Sequence, residues 1–222
     1  MPLAGRGMLL TSMDVDAADE ADFNRWYDSE HLQERVAIEG FLEARRYVAH
    51  TASPKYLCLY STRTVEVLDS PAYRTRLATP TEWSKKTMAR FENMIRAVAR
   101  ITISRGTGRG AALGIIRLRP QDGRAETLRA GLAAKLDPVG LDGIISMHLI
   151  ESDPALSGPT AEIPSAGAGA GDWYVLIDGT DADAVATVLA TRFNTAPPQA
   201  MQISSGIYRL MWDLAKSDLP AD

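Results

Sequence analysis

The stretch FNRWYDSEHLQERVAIEGFLEARRY, residues 23–47, begins with the residue spacing of a helix and ends with that of a strand. Phe23, Trp26 and Tyr27 stand at positions i, i+3 and i+4, as expected for one apolar face of an amphipathic helix. That face should continue with apolar residues one turn later, but the sequence places the pair Glu30–His31 there. A carboxylate and an imidazole are therefore predicted where the helix would otherwise bury its core side.

The first half of the chain surrounds this helix with further strands. The helix fades before Gly40, a residue type favoured at helix C termini, and a strand opens at Phe41. The predicted elements are a strand at Met8–Val15, a helix beginning at the N-cap Asp16, strands at Phe41–His50 and Lys55–Arg63, helical segments between Val65 and Phe91, and a strand at Met94–Ser104. Their order is β-α-β-β-α-β.

The second half repeats this order. Its predicted elements are Ala112–Arg119 (strand), Gly123–Leu136 (helix), Ile144–Glu151 and Trp173–Gly179 (strands), Asp183–Phe193 (helix) and Met201–Asp213 (strand). Gly40-Phe41 and Gly143-Ile144 occupy equivalent places, and RGTGRGAA at Arg105–Ala112 is a short linker. The sequence therefore predicts two units, residues 1–106 and 111–222.

One insertion interrupts the second unit. Residues 153–172 are rich in Gly, Ala, Pro and Ser, a composition that predicts a mobile loop with no core of its own. Such a segment is either a dispensable extension of a hairpin or a lid over a functional site.

Two tandem β-α-β-β-α-β units predict an α+β fold made of two ferredoxin-like sandwiches. Each sandwich has helices on one face of a four-stranded antiparallel sheet, which leaves the other face bare. Packing the two bare faces against each other within one chain would produce a closed or nearly closed α/β barrel.

The composition is that of an ordinary globular protein, with 45% hydrophobic and 23% charged residues among 222. A net charge of −4 gives no reason to expect binding to nucleic acid or to a membrane surface. Cys58 is the single cysteine, and the three histidines are scattered, so neither a disulfide nor a metal site is predicted. The apolar run Met8–Met13 is too short for a signal peptide or a membrane span, and the expected location is cytoplasmic.

Alternation along the strands predicts which side chains occupy the bare face. In the strand Met94–Ser104, the apolar set that contains Ile95 and Ala97 is assigned to the helices, which leaves Arg96 and Arg100 on the bare side. The polar residues predicted for this face are Glu43, Arg45, Tyr47, Arg96, Arg100, His148 and Arg209, in strand faces that also contain Phe41 and Ile207. Because burying so many charges in a dry core is costly, the pattern favours a polar cleft for an anionic or phenolic molecule. A solvated face of salt bridges, or a subunit interface, would use the same residues.

Glu30 and His31 are not predicted to form a direct pair, because adjacent residues on a regular helix point about 100° apart. The expected partner of Glu30 is one of the arginines Arg35, Arg45 and Arg46. His31 is a candidate proton shuttle for an enolisable or phenolic substrate. The alternative is a structural histidine that forms a hydrogen bond where the helix meets the following turn.

Two segments carry a resemblance to a known family. WYDSEHLQERVAIEGFLEARRY at residues 26–47 and SPAYRTRLATPTEWSKK at residues 70–86 resemble EthD-like members of the dimeric α/β-barrel superfamily. The resemblance covers about residues 8–105, and the second half matches only in element order, as a degenerate repeat. It implies binding of a small, often aromatic or polyketide-like molecule. Some members are cofactor-independent monooxygenases, isomerases or decarboxylases, and others bind haem.

These observations lead to the hypothesis of a small-molecule binding protein or cofactor-independent enzyme with a polar barrel cleft. The candidate catalytic residues are His31 and Glu30, and the candidate ligand-binding residues are Trp26, Tyr27, Arg45, Tyr47, Arg100 and His148. No organic cofactor is implied, the expected partner is a small organic molecule, and a homodimer is one expected assembly. Two alternatives remain: a non-catalytic assembly or regulatory module that uses the polar sheet face as an interface, and a haem protein with His148 or His31 as axial ligand.

Overall fold

The computed structural model describes residues 3–159 and 168–220. Its strands are β1 (Gly7–Asp14), β2 (Phe41–Ala49), β3 (Tyr56–Thr62), β4 (Glu92–Gly106), β5 (Ala112–Pro120), β6 (Ile144–Ser152), β7 (Trp173–Gly179) and β8 (Ala200–Ala215). Its α-helices are α1 (Glu20–Trp26), α2 (Leu32–Ala37), α3 (Pro71–Ala78), α4 (Glu82–Met88), α5 (Ala125–Lys135) and α6 (Ala182–Arg192). A π-helical turn at Tyr27–His31 joins α1 to α2, and 3₁₀ turns span Val65–Asp69 and Lys216–Asp218. In the described part of the chain, no helix has the length and apolar character needed to cross a membrane.

The strands form one closed antiparallel barrel within a single chain, in the order β1-β3-β2-β8-β5-β7-β6-β4. Each half contributes four adjacent strands in the ferredoxin-like order, and the pairs β2–β8 and β4–β6 join the halves. Closure pairs the sheet edges that an open sandwich would expose. The α+β fold of two tandem ferredoxin-like units packed into a barrel is confirmed.

An apolar core fills most of the barrel, and two further apolar clusters lie outside it under the helices. The inner cluster includes Leu10, Leu57, Leu59, Leu113, Leu176 and Tyr208. An eight-stranded barrel is just wide enough for its own side chains to fill. Over most of its length the barrel is therefore packed with apolar side chains, and the polar cleft stays a prediction. The enclosed sheet faces are also unavailable as an interface between chains.

The predicted orientation of β4 is wrong. Ala97 and Ala99 lie in the inner cluster, whereas Met94 and Val98 pack under the helices of the first half. Ala97 and Ala99 pair across the strands with Leu10 and Met8 of β1, so small side chains stand beside large ones in the crowded interior of the barrel. Arg96 consequently lies on the helix side of the sheet.

Each half also carries a β-bulge at the start of its second strand. The register of β2 against β3 shifts between Phe41 and Glu43, and β6 against β7 carries the same irregularity. The extra residue places Phe41 in the cluster under the helices, not on the inner face predicted for it. Gly40 and Gly143, which precede the two bulges, both have positive φ angles, of 88° and 71°. The equivalence of the two glycines is therefore structural as well as sequential.

The insertion predicted at residues 153–172 is described except for residues 160–167, which lie outside the described part of the chain. On one side, the Ser157 hydroxyl accepts a hydrogen bond of 2.9 Å from the backbone N–H of Val98 in β4. On the other side, the carbonyl of Ala168 accepts one of 3.0 Å from the backbone of β4. The insertion belongs to the second half of the chain. Its described flanks are nevertheless hydrogen-bonded to β4 of the first half.

Candidate functional site

The π-helical turn at Tyr27–His31 decides the direction of the polar pair. In a π turn the backbone bonds run from i to i+5, and such single turns occur frequently at functional sites. Here the indole of Trp26 stacks on the imidazole of His31, with ring centroids 4.0 Å apart and an interplanar angle of 30°. The phenol of Tyr27 meets the same imidazole edge-on at 5.1 Å. The extra residue in the turn therefore lets Trp26 and His31, five residues apart, lie against each other.

Glu30 joins this turn to α4. Its Oε1 atom accepts hydrogen bonds from the Nε1–H of Trp26 at 3.1 Å, the hydroxyl of Thr81 at 2.6 Å and the hydroxyl of Ser84 at 3.2 Å. The prediction that Glu30 pairs with an arginine is therefore wrong. Glu30 orients the indole on which His31 stacks, and it does so from outside the group of residues that line the cavity described below.

Replacement of Glu30 by alanine is expected to lower the free energy of unfolding by about 2 kcal/mol, since three donors lose one acceptor. Urea unfolding measures this change, and the indole N–H resonance of Trp26 should shift upfield as its hydrogen bond to Glu30 is lost and the one to the Ser84 hydroxyl, at 3.1 Å, remains. The matched control is Glu39→Ala, because Glu39 is 79% exposed and pairs with the exposed Arg63. Equal stabilities for the two variants would contradict the role given to Glu30.

A cavity of about 30 Å³ lies between this turn and the first-half sheet. Leucine, methionine and phenylalanine side chains form much of its wall, and Tyr27 closes one side. Its other polar and charged lining residues are Thr11, His31, Arg35, Tyr60, Tyr73 and Arg96. The space is sufficient for one or two water-sized groups.

Three polar atoms in this wall are buried without a hydrogen-bond partner in the part of the chain that the structure describes. They are Oγ1 of Thr11, Nδ1 of His31 and the hydroxyl oxygen of Tyr60. Buried polar atoms in folded proteins nearly always have partners, and leaving one unpaired costs about 1–3 kcal/mol. Three such atoms around one cavity indicate a place where the polar atoms of a bound molecule are accommodated.

The wall keeps His31 and Tyr60 neutral near neutral pH. Burial, followed by the cations Arg35, Arg76 and Arg46, holds the pKa of His31 well below its ordinary value. Burial likewise raises the pKa of Tyr60 well above its ordinary value. Near neutral pH, the site therefore presents an uncharged imidazole, with one nitrogen able to accept a proton, next to a protonated phenol.

Two buried arginines also line the cavity, Arg35 and Arg96, which are 4% and 3% exposed. Arg96 donates to the carbonyl of Leu156 at 2.8 Å and to the hydroxyl of Tyr73 at 3.5 Å, so its guanidinium is fixed in position. The described lining residues include no carboxylate. The guanidinium of Arg96, whose printed partners are neutral oxygens, therefore favours an anionic or electron-rich oxygen in the cavity.

Several of these lining residues are absent from the sequence-based candidates. Arg96 was assigned to the opposite face of its strand. Thr11 gives a weak signal as a hydroxyl within an apolar strand, but Tyr60 and Tyr73 have the spacing of ordinary core aromatics. Nothing in the sequence distinguishes them, because their importance arises from the neighbours that the fold supplies.

A second polar group lies inside the barrel, at the end where the linker between the halves crosses. Arg45 Nη1 donates to Oδ1 of Asp178 at 3.1 Å, and Nε2 of His148 lies 3.3 Å from Oδ2 of the same carboxylate. The other ring nitrogen of His148 is 3.0 Å from the hydroxyl of Ser104. Arg45, His148 and Asp178 are 2%, 0% and 0% exposed. This inner network connects the two halves of the chain through strands β2, β4, β6 and β7.

The inner network is an ion pair with a neutral histidine. Burial would raise the pKa of Asp178, but the hydrogen bond with His148 and the charge of Arg45 hold this pKa below its ordinary value. Burial lowers the pKa of His148. Tyr47 lies beside the network, with the Arg45 guanidinium 5.8 Å from its ring centroid. Asp178, which was not among the sequence candidates, is the residue on which this network converges.

The fold therefore separates the predicted site residues into three environments. His31 and Tyr27 belong to the π turn and Trp26 ends α1 directly before it, whereas Arg45, Tyr47 and His148 lie inside the barrel. Arg100 is on the outer surface, where its half-exposed side chain pairs with Glu66 at 3.1 Å. The predicted inner position of Arg100 is wrong because the orientation of β4 is reversed, and Arg209 is likewise exposed.

The two histidines proposed as haem ligands do not fit that role. Both ring nitrogens of His148 already lie within 3.3 Å of oxygen atoms, and its side chain is fully buried. His31 faces a cavity of about 30 Å³, whereas pockets for organic ligands of drug size have volumes of about 300–1,000 Å³. Haem, with its four pyrrole rings, would need a much larger displacement of this wall than a single aromatic ring.

Neither a protein-family model nor a curated protein matches the sequence. Solved structures do match its fold along nearly the whole chain. An anthrone oxidase-like protein has 11% identity and a TM-score of 0.60, with 98% of this chain and 96% of that one covered. A protein from Fusobacterium nucleatum with a proposed monooxygenase activity has 8% identity and a TM-score of 0.56, over 96% and 95%. A mutant chlorite dismutase from Candidatus Nitrospira defluvii has 8% identity and a TM-score of 0.53, over 93% and 91%. At these identities the likeness establishes the fold: the chain is similar to monooxygenase-like and chlorite dismutase-like proteins of ferredoxin fold.

Proposed function

We propose that the chain is a small-molecule enzyme that binds a phenolic or enolisable compound under the π turn and transfers a proton from it to His31. The main support for this proposal is the buried Nδ1 atom of His31. It has no hydrogen-bond partner in the described part of the chain, and His31 lies in the wall of the cavity. Unpartnered oxygens of Thr11 and Tyr60 surround the same space.

The proposed step is a single proton transfer. The O–H of a phenol, or a C–H next to a carbonyl, gives its proton to Nδ1 of His31, which leaves a phenolate or enolate and an imidazolium. Arg96 in the wall would stabilise the new anion, and the anion in turn would stabilise the imidazolium. The hydroxyl of Tyr60 is a suitable donor to the developing oxyanion because its raised pKa keeps it protonated. No organic cofactor takes part in this step.

The resemblance of residues 26–47 to EthD-like proteins supports an aromatic or polyketide-like ligand. The descriptions of the structural neighbours, anthrone oxidase-like and monooxygenase, concern those proteins and agree with such chemistry. An aromatic ring needs a cavity on the order of 150 Å³, so ligand entry must displace part of the wall. Leu77, Met88 and Phe91 are suited to this movement, since two of them are partly exposed and methionine changes rotamer easily.

The test is base-catalysed exchange of the acidic methylene protons of 2-indanone and anthrone in deuterated buffer, followed by proton NMR. Exchange reports proton abstraction without any oxidation step. His31→Ala and His31→Gln are expected to lower the protein-dependent exchange rate by at least about 100-fold, the usual contribution of a positioned base. His50→Ala, at an exposed histidine, should leave it unchanged.

Thermal unfolding of each variant shows whether the fold is intact. The proposal is contradicted if folded His31 variants exchange both ketones at the rate of the unmodified protein. It is also contradicted if the unmodified protein produces no exchange above buffer with either ketone.

A further inference from the structure

The end of the barrel opposite the inner network holds a groove of about 550 Å³, which we call the barrel-end groove. Its wall includes the apolar side chains of Pro54, Phe91, Met94 and Ile95, together with Asn93 and Arg117. The volume lies within the range of small-molecule sites, about 300–1,000 Å³. The site proposed above does not use Arg117.

A small cavity of about 20 Å³ adjoins this groove and extends into the barrel. Pro54, Ile95 and Arg117 line both spaces, so the cavity forms the floor of the groove. Within this floor, Tyr208 donates its hydroxyl to the carbonyl of Pro54 at 2.7 Å and is satisfied. Tyr174 differs from Tyr208, because its hydroxyl is buried without a hydrogen-bond partner in the described part of the chain.

Tyr174 is 1% exposed, and burial raises its pKa above the ordinary value, so the hydroxyl remains a protonated donor. A buried donor without an acceptor is costly to maintain. A ligand atom with a lone pair, placed in the floor of the groove, would satisfy it. This is the first of two independent observations that identify a binding site.

The second observation is an excess of positive charge. Arg117 donates its Nε–H to Oδ2 of Asp172 at 2.6 Å, and Arg119 donates its Nε–H to Oδ1 of the same carboxylate at 2.7 Å. Asp172 is fully buried, and its single carboxylate is shared by the two guanidinium groups, which leaves one positive charge in excess. Arg117 is the charged residue among the described residues that line the groove and its floor. It is only 12% exposed, and Asp172 holds its orientation.

We propose that the barrel-end groove binds a small organic anion with an apolar body. The carboxylate or sulfonate of this ligand contacts Arg117, and an acceptor oxygen receives the hydroxyl proton of Tyr174 in a hydrogen bond. The aromatic or aliphatic body lies along Pro54, Phe91, Met94 and Ile95. Arginine suits this role because its planar fork binds carboxylates with two parallel hydrogen bonds.

The experiment is a calorimetric titration with 2-naphthoate, accompanied by NMR of the Ile95 and Ile115 methyl groups, which lie in the wall. We expect saturable binding and shifts of both methyl signals. Arg117→Gln should weaken the affinity at least tenfold, Arg117→Lys should weaken it less, and Tyr174→Phe should weaken it about threefold. The uncharged analogue 2-naphthalenemethanol should bind at least tenfold more weakly than 2-naphthoate.

Arg119→Gln is the matched control, because Arg119 pairs with the same carboxylate but is half exposed and does not line the groove. It should leave the affinity within twofold, as should His31→Gln. Equal effects of Arg117→Gln and Arg119→Gln, or the absence of saturable binding to the unmodified protein, would overturn the proposal. A loss of affinity in His31→Gln alone would assign the naphthoate to the cavity under the π turn and would overturn it as well. Because the ketone exchange assay does not depend on Arg117, either proposal can fail without the other.

Discussion

Replacing Asp178 with alanine is expected to lower the free energy of unfolding by about 3–5 kcal/mol. Asp178 is the acceptor shared by Arg45 and His148, and all three side chains are buried within the barrel. The alanine variant would leave the guanidinium of Arg45 charged and buried without the carboxylate to which it donates. Because Arg45 comes from β2 and Asp178 from β7, the loss should affect the closure of the two halves against each other.

Urea unfolding at neutral pH measures this effect. Asp142→Ala serves as control, since Asp142 is exposed, and surface substitutions usually change stability by less than about 0.5 kcal/mol. A double variant, Arg45→Met with Asp178→Leu, should regain much of the stability, because buried ion pairs replaced by apolar residues of similar volume are often neutral or stabilising. A cost below about 1 kcal/mol for Asp178→Ala, or a double variant no more stable than either single one, would refute the assigned role.

The fold could be predicted from the sequence because the repeat has local signals. The two helix-to-strand glycines and the element order recur in both halves, and an exposed pair of bare sheets has few ways to bury itself. The orientation of β4 could not be predicted in the same way. The sequence separates the two faces of β4 correctly. It does not show which face points into the barrel, because the alanines Ala97 and Ala99 are compatible with packing under helices as well as with a crowded barrel interior. The position of Arg96 follows from that orientation, so the same error removed it from the candidate site.

The candidate site was predictable only in part for a related reason. The break in the apolar face at Glu30 and His31 correctly indicates an unusual helix, but reasoning from 3.6 residues per turn cannot foresee a π turn. That single turn changes which residues meet: His31 stacks on Trp26, and Glu30 accepts hydrogen bonds from α4. Asp178 could not be predicted as a site residue for a different reason. It is a carboxylate at the end of an apolar strand, and its partner Arg45 is 133 residues away in the sequence.

Acidification from pH 7 to pH 5 is expected to destabilise the protein strongly. His31 and His148 both have folded-state pKa values below the ordinary value of 6.5, His31 by a wide margin. The unfolded chain therefore binds more protons than the folded one in this range, and stability rises with pH. The contribution is complete above about pH 6.5 and is lost as the pH falls towards each folded-state pKa. The depressed pKa of Asp178 acts in the same direction only at lower pH, below the ordinary value of 3.8.

Each buried histidine should contribute a slope of up to about 1.4 kcal/mol per pH unit below pH 6.5. Urea unfolding at pH 8, 7, 6 and 5 gives this slope directly. His31→Asn should reduce the slope of unfolding free energy against pH by the contribution of about one proton. His50→Asn, at an exposed histidine, should leave this slope unchanged. A stability that is flat between pH 7 and pH 5, or a slope unaffected by His31→Asn, would mean that His31 takes up a proton in the folded state as readily as in the unfolded chain. In that case the cavity under the π turn would not hold the neutral imidazole on which its proposed proton transfer depends.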